Sequence, residues 1–211
     1  MIPAGRSLLA LAAGCCVAAA LFFGISTVRE RQAIPPVSAA PIDIRSISGS
    51  RFYYPATGFP VMKMPDGHAE TIKSVLNVKE KMRFGESVWD DKDVPPGPIW
   101  IRIDLTRQLL SVFRGGHEIG TTVVLYGASD KESPLGTFPV LEKAEDYHSR
   151  TYDAPMPYML RLTADGVAIH GSDVRAGAAT HGCIGVPTAF ARQLFDQVKP
   201  GDPVFILKPA V

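Results

Sequence analysis

Residues 99–127 read IWIRIDLTRQLLSVFRGGHEIGTTVVLYG, and their period is that of β-structure. Ile99, Ile101 and Ile103 alternate with Trp100, Arg102 and Asp104, the spacing of a half-buried strand. A second run, QLLSVFR at 108–114, stops at Gly115-Gly116 and returns as HEIGTTVVLYG. A Gly pair between two such runs accepts the positive φ angles of a tight hairpin. Toward the C-terminus, further strands are expected in GTFPVLEKA, in PYMLRLT and GVAIH around the turn Asp165-Gly166, and in DPVFILK. One helix is expected after Pro187, because Phe190, Leu194, Phe195 and Val198 fall at helical spacing and Pro200-Gly201 stops the run. Closely spaced short strands with one or two short helices describe a mainly β sandwich.

Upstream the signal weakens. Between 58 and 97 the sequence reads as an extension of the domain. There Ile72, Val75 and Leu76 are expected on one side of a short helix, and PPGP at 95–98 ends it. Residues 30–57 are rich in Pro, Ser and Ala without apolar period, the composition of a flexible spacer. Before them, 7–28 (SLLALAAGCCVAAALFFGISTV) carry no charge. As a helix this stretch spans about 33 Å, close to the hydrocarbon thickness of a bilayer. The expectation is therefore an N-terminal transmembrane anchor within 1–29, a spacer over 30–57, an extension over 58–97 and a catalytic domain over 98–208. A cleaved signal peptide remains the alternative; both are export readings, while Arg6 against Arg29 and Arg31 leaves the orientation open by charge alone. Basic and acidic residues nearly cancel, at 22 against 21, with no basic block. That excludes the electrostatic footprint of a nucleic-acid partner.

Cys15 and Cys16 fall in the apolar segment, which leaves Cys183 alone in the remainder. A single thiol in an exported domain asks for a reason. The stretch 168–187 reads AIHGSDVRAGAATHGCIGVP. It puts His170 at a strand end and His181-Gly182 directly before Cys183. A thiol attacks as thiolate, so it needs a base such as an imidazole near it. An attacked amide carbonyl then needs fixed donors for its oxyanion, and the Gly182 and Cys183 backbone N–H groups are the candidates. A zinc site from His170, His181 and Cys183 uses suitable ligand types but lacks a CxxC pair or an HExxH helix. No phosphate-loop or dinucleotide fingerprint is present, and neither metal nor organic cofactor is expected.

These residues resemble the L,D-transpeptidase catalytic domain, the YkuD-type family, in three places. His170-Gly171 followed by Thr180-His181-Gly182-Cys183-Ile184 resembles its catalytic motif. Ser133-Pro134-Leu135-Gly136-Thr137-Phe138 resembles its Thr/Ser-Pro-x-Gly-x-Phe element, and IWIRIDLTRQLLSVFRGG its opening hairpin. The resemblance implies a YkuD-like sandwich acting on peptidoglycan stem peptides. Cys183 would attack the carbonyl before the terminal D-Ala of a tetrapeptide, and the thioester would pass to an amine. His170 would be the base, oriented by a carbonyl near Gly171, and His181 would line the oxyanion side or assist proton movement. Gly171 and Thr180, with Tyr158 and Arg161 on the preceding strand, would contact substrate. Two departures from the family pattern stand out: Gly185 where Arg or Asn is usual, and a short loop between His170 and Thr180. The rival expectations are an L,D-carboxypeptidase or amidase using water, attachment of a protein to the wall, and a catalytically silent wall-binding module.

Overall fold

The 99–127 hairpin forms the middle of the largest sheet. Ile99–Asp104 pairs antiparallel with Leu109–Arg114, which pairs antiparallel with His117–Val123. Gly115 and Gly116 turn the chain at φ +57° and +89°, angles that a side chain would resist. In this computed structural model the described residues are 47–48, 50–64, 66–127 and 131–209. The expected membrane segment at 7–28 lies outside them. No helix among the described residues is long and apolar enough to cross a membrane.

On one side of the hairpin the sheet continues with Pro203–Leu207, parallel to Ile99–Asp104, and then Gly136–Pro139. On the other side, Ser74–Leu76, Arg51–Tyr53 and Ile47–Ser48 follow in turn beyond His117–Val123, and Ser87–Trp89 also pairs with that strand. A second sheet runs in the order Glu142–Ala144, Met159–Arg161, Ala168–Ser172, Ile184–Pro187. The helix Thr188–Gln197 follows directly. Pro187 is its N-cap, and Phe190, Ala191 and Leu194 are buried. The result is mainly β with one α-helix among the described residues.

One core joins these parts. Ile101, Ile103, Leu110, Val112 and Ile119 from the inner face of the large sheet cluster with Leu160, Ile169, Ile184 and Val186 of the small one and with Phe190 and Leu194 of the helix. All are fully buried, and each such side chain contributes roughly 1.5–3 kcal/mol of hydrophobic stabilisation.

Two expectations fail on the outer face. Trp100 is 1% exposed and Asp104 0%, so the Ile99–Asp104 strand is buried on both faces, not one. Trp100 stacks on Phe113 at 3.9 Å, with Phe205 edge-on. Met62, Met64 and Ile72, carried by the small hairpin of Val61–Lys63 with Ala69–Thr71, cover that cluster. The short helix expected around Ile72, Val75 and Leu76 is not formed either. Ala69–Thr71 and Ser74–Leu76 are strands, because pairing with a sheet already made outweighs a weak helical spacing. Part of the expected spacer is also drawn in, since Ile47–Ser48 and Arg51–Tyr53 pair with each other at the sheet edge.

Candidate active site

Cys183 and His170 are brought together by two neighbouring parallel strands. Their register sets Ile169 beside Ile184 and His170 beside Gly185. Side chains alternate along a strand. With Ile169 and Ile184 fully buried in the core, His170 must emerge on the opposite face. Cys183 precedes Ile184 where the loop enters the strand. Both side chains line one cavity of about 450 Å3, together with Gly171, Thr180 and His181.

The loop holding Cys183 is fixed by hydrogen bonds on two sides. The Ser133 hydroxyl donates to the Gly182 carbonyl at 2.9 Å and accepts from the Gly127 N–H at 3.0 Å. The Thr180 hydroxyl donates to the Cys183 carbonyl at 2.5 Å, while the Thr180 N–H donates to the Tyr126 carbonyl at 3.1 Å. Gly182 has φ +99°, a conformation that glycine adopts without strain. No hydrogen bond joins the Gly182 or Cys183 N–H to another described residue, so these amides are available to a ligand oxygen.

His170 Nδ1 lies 2.9 Å from the Gly171 carbonyl, with Ser172 Oγ at 3.2 Å. A carbonyl only accepts, so Nδ1 carries the proton and Nε2 is the basic nitrogen. Burial lowers the His170 pKa, opposed by that carbonyl. Burial likewise pushes the Cys183 thiol up, against the pull of the Ala168 backbone and of the Lys131 charge. Cys183 Sγ faces the Gly166 carbonyl at 3.8 Å, a partner for S–H and not for a thiolate. The resting pair is therefore neutral on both sides, and no hydrogen bond joins the sulfur to the imidazole among the described residues.

The sequence model of the L,D-transpeptidase catalytic domain matches residues 98–206. The chain belongs to that family. Its fold is shared with an L,D-transpeptidase from Stackebrandtia nassauensis, 22% identical at a TM-score of 0.50, over 55% of this chain and 58% of that one. An L,D-transpeptidase from Mycobacterium smegmatis is 23% identical, TM-score 0.48, over 52% and 58% of the two chains. One from Enterococcus faecium is 26% identical, TM-score 0.48, over 53% and 50%. The match thus spans little more than half the length of these proteins. No curated protein matches the chain.

In this L,D-transpeptidase domain, the two residues expected on the preceding strand lie elsewhere. Tyr158, at φ +56°, sets its ring edge-on against Phe195 of the helix. Arg161 pairs with Glu142 across the small sheet. Neither lines the cavity, which takes Met156 and Pro157 instead. His181 stacks on Tyr152 with ring centres 4.5 Å apart. A side chain at Gly171 would meet Pro157 at 3.0 Å and Thr188 at 3.1 Å, so glycine is what lets the wall close on His170. At Gly185 a Cβ would come within 2.9 Å of Ser172 Oγ and 3.4 Å of Leu125. Ser172 thus fills the room that a longer side chain at 185 would need. Ser172, Asp173 and Arg175 line the cavity unforeseen. Ser172 was within reach of the sequence, since it sits two residues from His170 on the same strand face. Tyr152 and Lys131 were not, because loops far apart in sequence deliver them.

Proposed function

We propose that this protein is a peptidoglycan L,D-transpeptidase in which Cys183 takes the acyl group from a stem tetrapeptide. The observation that carries the reading is the sharing of one cavity by Cys183 and His170, with Nδ1 of His170 committed to a carbonyl. In the first half-reaction the Cys183 proton passes to His170 Nε2 as Sγ attacks the carbonyl before the terminal D-Ala. A C–S bond forms, and the oxyanion takes the Gly182 and Cys183 N–H groups. The imidazolium returns the proton to the leaving nitrogen as the C–N bond breaks. A thioester and free D-alanine result. An amine from a second stem then gives its proton to Nε2, attacks the thioester and regenerates the thiol. The Gly171 carbonyl holds the imidazolium's Nδ1–H throughout, the task that a carboxylate performs in other triads. His181, stacked on Tyr152, forms the wall beside the oxyanion, and Gly171 and Thr180 border the peptide. Acting on peptidoglycan, the domain works outside the cytoplasm, with residues 7–28 as its anchor or export signal.

The test is incubation of the full chain in detergent with disaccharide-tetrapeptide muropeptides, followed by mass spectrometry. Cross-linked dimers support the transpeptidase. Tripeptides alone would replace it with a carboxypeptidase, and unchanged substrate with no acyl-enzyme would leave a silent wall-binding module.

A further inference from the structure

Beside the cavity stands a cation that the reaction above does not use. Lys131 begins a strap, 131–133, that crosses the nucleophile loop. Its stem lies over Gly182, where an added Cβ would touch Lys131 Cγ at 3.5 Å and Cε at 3.6 Å. Its ammonium ends on the Tyr152 hydroxyl at 3.2 Å. Two residues on, Ser133 is hydrogen-bonded to Gly182 and Gly127, which ties the strap to the loop. Tyr152 lines the cavity and stacks on His181. Lys131 therefore spans from the backbone of Gly182 to the cavity rim, within electrostatic reach of the Cys183 sulfur.

Lys131 makes no ion pair among the described residues, and the Asp165 carboxylate acts on it only from beyond contact distance. Arg175, the other cation at this cavity, pairs with Asp173 at 3.2 Å. Among the described residues no carboxylate lies within ion-pair distance of Lys131, and the Tyr152 hydroxyl uses only part of its donor capacity. A free ammonium held beside a nucleophile selects a substrate with negative charge close to the scissile bond. A donor ending in free D-alanine has that feature, since only the amide nitrogen and one carbon separate its carboxylate from the attacked carbonyl.

We infer that Lys131 is a specificity-determining residue that recognises the C-terminal carboxylate of the acyl donor, restricting the enzyme to peptides with a free end. This inference rests on the transpeptidase reading and deepens it. The donor tetrapeptide and its C-terminal carboxamide are titrated calorimetrically into the full chain carrying Cys183→Ala, with and without Lys131→Met. Methionine keeps an unbranched stem over Gly182 and removes the charge.

With Lys131 present, the free acid should bind about fivefold tighter than the amide, the scale of an exposed ion pair. Lys131→Met should bind both alike, with amide affinity unchanged. A preference that survives Lys131→Met, or equal binding before it, overturns the assignment. So does a loss of amide affinity, which would make Lys131 structural. Thioester formation separates the two readings. Wild-type protein acylated equally by both peptides removes the role of Lys131 alone, whereas acylation by neither removes the transpeptidase itself.

Discussion

On the outer face of the large sheet, Arg51 is 2% exposed and Glu118 7%, and their polar groups are answered by backbone. Arg51 donates to the carbonyls of Glu118 and Asp90 and to Ser74 Oγ, and Glu118 accepts from the Leu76 N–H at 2.9 Å. At the end of the small sheet, Cys183 and His170 are only half-buried and line one cavity, with no hydrogen bond between their side chains among the described residues. Both places shift pKa values by burial, raising the carboxyl of Glu118 and the thiol of Cys183. A perturbed pKa alone therefore does not mark a reactive group. What separates the two regions is access. Arg51 and Glu118 are closed off from solvent, while Cys183 and His170 line a cavity.

This contrast predicts that damage in one region should not resemble damage in the other. Cys183→Ala should abolish acyl transfer and leave the thermal midpoint near that of the wild type. His170→Ala should lower the rate of carbapenem acylation by about 10²–10⁴-fold, the range for loss of a positioned base. Retained turnover in either variant would remove that residue's role. The pH profile sharpens the point. His170 must be neutral to take the proton, and its pKa is lowered, so activity should fall only below about pH 6.5, the unperturbed value. An acid limb at or above that value would show that burial does not lower the His170 pKa.

Trp100→Ala should do the reverse. Removing a fully buried indole stacked on Phe113 with Phe205 edge-on costs about 3–5 kcal/mol. Urea unfolding measures the loss, while acylation per folded molecule should hold. A matching loss of acylation rate would show that the two faces are coupled.

The same contrast decides what was legible beforehand. Alternation at Ile99, Ile101 and Ile103, the Gly115-Gly116 turn and the spacing of Phe190 and Leu194 are local signals, and each marked the element that forms. Cys183 and His170, which line one cavity, stood out as candidates because a lone thiol, two histidines and clustered glycines are chemically unusual together. The cover of the outer face was not legible. Val61–Lys63 and Ala69–Thr71 are three-residue strands, too short for any period to register. Arg51 meets Glu118 from 67 residues away. Tyr158 misled for a related reason. At positive φ it leaves the strand pattern, and its ring turns to the helix instead of the cavity.

Gly185→Asn probes the border between the regions, since residue 185 belongs to a catalytic strand yet is buried. Its Cβ would press on Ser172 Oγ, and such overpacking costs about 1–3 kcal/mol. Because Ser172 stands 3.2 Å from His170 Nδ1, acylation should slow as well, a combined effect that neither Trp100→Ala nor Cys183→Ala produces. Restoration of both stability and rate by Ser172→Gly in the same chain would confirm the shared space. No improvement would place the cost elsewhere.

Glu118→Gln should give the smallest and most diagnostic effect. The carboxyl's folded-state pKa is raised, with desolvation the largest cause, so the folded protein binds this proton more tightly than the unfolded chain. Stability from this group is therefore full below the unfolded pKa, about 4.3. It declines as pH rises toward the folded value and is flat above it. Glutamine can still accept from the Leu76 N–H but does not titrate. Denaturant midpoints measured from pH 4 to neutrality should thus fall less steeply in Glu118→Gln than in the wild type, with acylation unchanged at every pH. Equal slopes would mean that Arg51 and the surrounding amides offset the desolvation of the carboxylate completely. The carboxyl of Glu118 would then be electrostatically silent in folding.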